Sequence, residues 1–162
     1  MAEEEQDHPG VRLPPPLVLL GAILLGLGLD ALWPAPLSAI GMDLARGLLI
    51  GLGVLLLLGG FGIALACFFQ FKAAGTAVEP WRPSSALLGD GLYRLSRNPI
   101  YLGMLLVMLG VAFLANSLWH LALLVPVWAF LRFAVIAREE RYLEDRFGED
   151  YRRYRAAVRR WI

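Results

Sequence analysis

Cysteine is all but missing. Cys67 stands alone inside an apolar run, so no disulfide can form within the chain and no redox compartment follows from it. Histidine is scarce too: His8 sits in the leading segment and His120 in a late apolar stretch, and both read as incidental. A charge excess is also absent, since 15 Lys and Arg against 14 Asp and Glu leave a formal +1, which argues against a nucleic-acid partner. No metal-ligand set is expected. The leading "MAEEEQDHPGVRLPPP" is acidic and lacks the basic start of a secretory signal, so residues 1–16 read as a disordered tail with the first span retained.

Hydrocarbon fills the space. Apolar residues make up 58% of the chain and mean hydropathy is +0.60, whereas soluble domains use ~45–50% apolar residues. The chain therefore reads as an integral membrane protein whose main partner is the lipid bilayer. Its 162 residues suit one domain, 17–162. Four apolar segments approach the roughly 17 to 25 residues of a helical span: about 17–33, 44–71, 99–115 and 118–137. Pro14, Pro15 and Pro16 open the first, and Pro34 follows it. The second is long, and predicts a tilt or a bend near Gly59 and Gly60. Short linkers at 34–43 and 116–117 predict antiparallel hairpins. The fold class is thus all-α, a four-span bundle followed by cytoplasmic helices over 138–162.

Lys and Arg set the orientation. Lys72, Arg82, Arg94 and Arg97 lie between the second and third spans, and the chain beyond Arg132 is Arg-dense, whereas the other two linkers carry neither residue. Both termini are therefore expected on the cytoplasmic side. Gly47 and Gly51 form a GxxxG pattern in the second span, with Gly21, Gly26 and Gly28 in the first. They read as helix-packing positions, or alternatively as a dimer face. The oligomeric state stays open. Asp30 and Asp43 read as end-of-helix residues reached by water or headgroups.

Polar residues concentrate in two places. In "GLYRLSRNPIYLGM", Gly91 to Met104, Asn98 reads as a helix cap and Pro99 as the first helical residue. The free amides of that helix start and the adjacent Arg97 make an anion site, and Tyr93 and Tyr101 stand close enough to stack on or hydrogen-bond a ligand. Interfacial anchoring explains the same residues without a ligand. In "AREERYLEDRFGEDYRRYRAAVRRWI", Glu139 and Glu140 extend the fourth span at the membrane face of Arg97. They diverge by about 100°, so one of them should face a pocket closely. A solvated helix with charge pairs is the plainer reading. Gly148 ends that helix, and Tyr151, Tyr154, Val158 and Trp161 form one stripe of a basic amphipathic helix suited to an anionic leaflet.

The ordered set "PWRPSSALLGDGLYRLSRNPIYLG" and "EERYLEDRFGEDYRRY" resembles the isoprenylcysteine carboxyl methyltransferase family, a relative of the membrane phospholipid methyltransferases, from about Thr76 to Trp161. The resemblance implies an S-adenosylmethionine-dependent enzyme, with S-adenosylhomocysteine as product and its cofactor held between the last two helices and the C-terminal segment. It puts Arg97, Asn98, Pro99, Tyr101, Glu139 and Glu140 at the cofactor site; Tyr93, Leu102 and Gly103 join them as cofactor-binding candidates, and the catalytic candidates are Arg97, to hold a carboxylate of the cofactor or the acceptor, and Arg138, as an acceptor clamp. Asn98 stands where many relatives carry His. The implied acceptor is lipophilic, arrives from the bilayer and carries a carboxylate as in isoprenylcysteine. A phospholipid amine or small-thiol acceptor, or a nonenzymatic membrane scaffold, are the alternatives. The expected setting is a bacterial or archaeal cytoplasmic membrane.

Overall fold

A computed structural model describes residues 9–11, 13–41, 46–76 and 83–162. His8, Arg12, Asp43, the second-span start at Leu44 and Arg82 lie outside the described residues. Among those described, every regular element is helical. The order is α1 (Pro15–Leu32), a 3-10 turn (Leu37–Ile40), α2 (Arg46–Ala73), a 3-10 turn (Gly91–Arg94), α3 (Pro99–Ala115), α4 (Leu118–Ala129), a π-helical stretch (Phe130–Ile136), α5 (Ala137–Phe147) and α6 (Glu149–Ala157). Among the described residues, three rods are long and apolar enough to cross a membrane: Pro15–Leu32, Arg46–Ala73 and Leu118–Phe147. They mark an integral membrane protein. The expected third span, α3, is equally apolar, but its 17 residues rise only about 26 Å at ~1.5 Å each, short of a ~30 Å hydrocarbon layer.

The helices pack in the row α1, α4, α3, α2. Consecutive α1 and α2 are therefore not paired in that row, although their short linker predicted a hairpin. That linker docks instead on the α3–α4 turn: Leu118 N–H donates to the Ala35 carbonyl and Trp119 Nε1 to the Trp33 carbonyl. Arg46 donates to the carbonyls of Phe113 and Leu114, satisfying the C-terminal end of α3. His120, fully buried, fills the notch over Gly26 and hydrogen-bonds Ser117 and the Ile23 carbonyl.

The tightest contact joins α2 to α3, and it is made by glycines seven residues apart on each helix. A Cβ on Gly60 would stand 2.5 Å from the Gly103 carbonyl oxygen, and one on Gly53 would stand 2.9 Å from that of Gly110. Backbones approach this closely only where the side chain is absent. Gly47 and Gly51, the pair the sequence pattern singled out, have open space around them. The seven-residue stripe, which keeps one face over two turns, defines the packing surface. Gly60→Ala should destabilise the detergent-purified protein by about 1–3 kcal/mol in thermal unfolding, while Gly51→Ala should stay within ~0.5 kcal/mol of wild type. Equal effects of the two would refute the packing assignment.

Proline shapes the last long rod. Pro126 removes a backbone donor inside α4, and the π stretch begins four residues later. A π turn takes about one extra residue, so it turns everything downstream by about 100° relative to an unbroken α-helix.

Candidate functional site

The cavity lies at the end of the bundle where α3 begins. Its walls come from the end of α2 (Phe71), the loop 84–88, the 3-10 turn and first turn of α3 (Tyr93, Arg97, Asn98, Tyr101), α5 (Glu139, Glu140, Tyr142) and α6 (Tyr151, Tyr154), and its space, open mouth included, is about 820 Å³. The chain has 5 tyrosines, and all of them line this cavity. Gly91 makes the turn into it possible. Its φ is +57°, and a Cβ there would overlap the Gln70 side chain, whose amide donates to the Asp90 carbonyl.

Both glutamates face the cavity, contrary to the expectation that one would. The π turn upstream rotates α5 so that they flank one opening, and they have opposite surroundings. Glu140 Oε1 accepts from Arg97 at 2.8 Å and from Arg160 Nε at 3.0 Å, and its Oε2 accepts from Arg160 at 2.5 Å. The Arg160 contact is a two-bond fork, the stronger form of such a pair. Hydrogen bonding to Glu140 in turn holds the Arg160 guanidinium above its ordinary pKa. Glu139 accepts from the Tyr101 hydroxyl and, among the described residues, has no cationic partner.

Arg97 was expected to hold a ligand anion, yet most of its guanidinium is spent on the protein. Its Nη1 donates to the carbonyls of Arg155 and Val158, and its Nη2 to Glu140, leaving Nε buried without a partner among the described residues. Asn98 precedes the helix as expected, but its side chain caps no amide. Its Nδ2 donates to the Arg160 carbonyl, and its own N–H donates to Ser96 Oγ. The C-terminal segment competes successfully for these donors because it also brings the Arg159 carbonyl to the Arg97 N–H.

Four expected site residues stand off the cavity lining. Pro99 is buried as the first residue of α3, Leu102 lies outside the lining, and Gly103 is committed to the α2 contact. Arg138 is on the outer side of α5 and donates to the Gly10 carbonyl. That bond and the burial of Val11 show that residues 9–11 of the expected loose tail pack onto the bundle, and Pro9 reaches the cavity wall. The expected amphipathic C-terminal helix also differs. Helix α6 ends at Ala157, and its tyrosines point inward: Tyr151 is 1% exposed and Tyr154 donates to the Tyr93 carbonyl. Burial pushes the Tyr151 phenol up to about 12, so it stays a neutral donor near pH 7.

Sequence reasoning missed Tyr142, Tyr151 and Tyr154, as well as the loop whose Ser84 N–H donates to the Tyr142 hydroxyl. The available signal was the confinement of every tyrosine to residues 93–154, the stretch holding both motifs. Among the described residues, no group of three His, Cys, Asp or Glu side chains comes together as a metal site.

Apolar rods long enough to cross a bilayer mark an integral membrane protein, and a tyrosine-walled cavity opens at one end of its bundle. The chain belongs to the phospholipid methyltransferase family, whose sequence model matches residues 48–150 and so takes in α2 through the start of α6. It is 45% identical over 64 residues to an uncharacterised protein of Haemophilus influenzae, covering 39% of this chain and all of that one. It is also 34% identical over 96 residues to the cobalt-zinc-cadmium resistance protein CzcN of Cupriavidus metallidurans, covering 59% of this chain and 44% of that protein. The chain thus spans under half the length of CzcN. No solved structure matches.

The Glu140 clamp ties the C-terminal segment to α3. Each charged hydrogen bond is worth ~1.5–3 kcal/mol, so Glu140→Gln should raise the undocked fraction of that segment at least about tenfold. Limited trypsin digestion would show this as faster cleavage after Arg159 and Arg160, and cleavage at the wild-type rate would refute the clamp.

Proposed function

We propose that the protein is an S-adenosylmethionine-dependent methyltransferase acting on a membrane-soluble acceptor. The observation that carries this reading is the meeting of both motifs in one cavity that pairs five tyrosine side chains with a carboxylate, Glu139, which has no cationic partner among the described residues. Those groups fit a cationic ligand, since aromatic faces attract cations and Glu139 complements their charge. The donor supplies a methyl group on a positively charged sulfur. Glu139 and the tyrosine faces would hold its positive end, and the Nε of Arg97, without a partner among the described residues, would be the donor left for a carboxylate. The chain's own work is then alignment and exclusion of water, which suffices for much of an in-line displacement.

The acceptor is read as a lipophilic carboxylate of the isoprenylcysteine type, which needs no base. A phospholipid amine is the second reading. It is favoured by Glu139, a cavity carboxylate able to accept a proton, and by membership in a family described by phospholipid methylation. On either reading Arg138, bonded to Gly10, is no longer the natural acceptor clamp.

Calorimetric titration with S-adenosylhomocysteine tests the cofactor assignment. Glu139→Ala, Glu140→Ala and Arg97→Ala should each weaken binding about tenfold or more. Unchanged affinity in all three would remove the site. Incubating the protein with labelled methyl donor and total membrane lipids separates the acceptors: base-labile label marks an ester, and base-stable label marks an N-methyl or S-methyl product. A nonenzymatic scaffold would neither bind the product nor transfer label.

A further inference from the structure

Arg132 is the only Asp, Glu, Lys or Arg between Leu118 and Ala137. A cation at such a position is expensive and ordinarily faces a partner. Here its guanidinium lies 5.5 Å from the ring centroids of both Trp128 and Phe133, which meet edge-to-face on the outer surface of the bundle. No hydrogen bond or ion pair to Arg132 is present among the described residues. By contrast, Arg46, Arg97, Arg138 and Arg160 all donate to carbonyls or carboxylates. Ring faces offset part of the charge but cannot satisfy a fork of five N–H donors. That fork matches the paired oxygens of a phosphodiester.

A second feature adjoins it. Leu105 of α3 and Leu124, Val125 and Trp128 of α4 line a shallow, wholly apolar groove that shares no residue with the tyrosine cavity. Val125 and Trp128, three residues apart, share one face of α4, and Arg132, in the π stretch that follows, places its guanidinium over the Trp128 ring. Arg132 stands nearer the Glu139 end of the rod, five residues before Ala137, and the groove runs deeper. This is the head-to-tail order of a lipid in the leaflet on that side.

The geometry points to a binding site for an anionic glycerophospholipid, with its phosphate on Arg132 between Trp128 and Phe133 and an acyl chain in the groove. The site stands apart from the cavity and does not depend on the methyl-transfer reading. The full chain, purified in mild detergent, is titrated with phosphatidylglycerol and with diacylglycerol of the same chains, and retained lipid is counted by native mass spectrometry. Wild type should retain phosphatidylglycerol about tenfold better than diacylglycerol, and Arg132→Gln should lose about tenfold in phosphatidylglycerol affinity. Val125→Trp, which fills the groove and keeps the charge, should also lose affinity, and it decides the matter alone should Arg132→Gln fail to fold. Undiminished binding in Arg132→Gln or Val125→Trp, or equal retention of the two lipids by wild type, overturns the proposal.

Discussion

Glu140 is gripped by two guanidiniums that come from far apart in the chain, Arg97 at the entrance to α3 and Arg160 two residues from the C-terminal end. The Arg97–Glu140 pair is mostly desolvated, with side-chain exposures of 10% and 12%. Such a pair is stable only when the carboxylate's remaining lone pairs are also hydrogen-bonded. Arg160 meets that requirement: it supplies the fork for Glu140 while its side chain, 34% exposed, keeps the extra positive charge in reach of solvent, and its carbonyl takes the Asn98 amide. The C-terminal segment is thereby a wall of the cavity, and the folded positions of α5 and α6 are set against α3.

The two adjacent glutamates differ because the cluster satisfies one and leaves the other to the cavity. Glu140 is neutralised by cations, so it is a structural pin that is poorly placed to change charge. Among the described residues Glu139 has a single neutral phenol as partner, so it is the acid of the pair whose charge is not met by a cation. Glu139 and Glu140 keep the roughly 100° divergence of α-helical neighbours, and the π stretch behind Pro126 sets the phase of α5 so that the opening lies between them.

Much of this was legible in the sequence where the solvent decides. Apolar runs, prolines at helix starts and the Arg-Asn-Pro corner locate α1 through α4 within a few residues, because a bilayer leaves the backbone few alternatives to a helix. Meeting of the Arg97 corner with the twin acids was readable as well. What was not legible depends on which donor finds which acceptor. Asn98 has the composition of a cap, but a competing carbonyl from Arg160 takes its amide. Gly47 and Gly51 have the spacing of a packing motif, yet Gly53 and Gly60 face α3, a choice made by helix rotation that periodicity alone leaves open. Tyr151 and Tyr154 have the spacing of a membrane-facing stripe, and only the docking of Val158 to Trp161 against the bundle turns that stripe inward. Residues 9–11 belong to the same class, since short apolar pieces such as Val11 acquire meaning only from the cluster they join.

One arginine serves both the fold and the cavity lining. Arg97 holds the carbonyls of Arg155 and Val158 while its Nε has no acceptor among the described residues. A ligand bonded to this Nε would bind best with the guanidinium already fixed by those carbonyls, and by reciprocity it would strengthen the docking of the segment that carries them. The tyrosines extend the same coupling, since Tyr154 reaches from α6 to the Tyr93 carbonyl and both rings line the cavity. The wall that carries the Arg155, Val158 and Arg160 carbonyls is thus held through Arg97 and Asn98, while α2 and α3, locked by glycine contacts, stand on the opposite side.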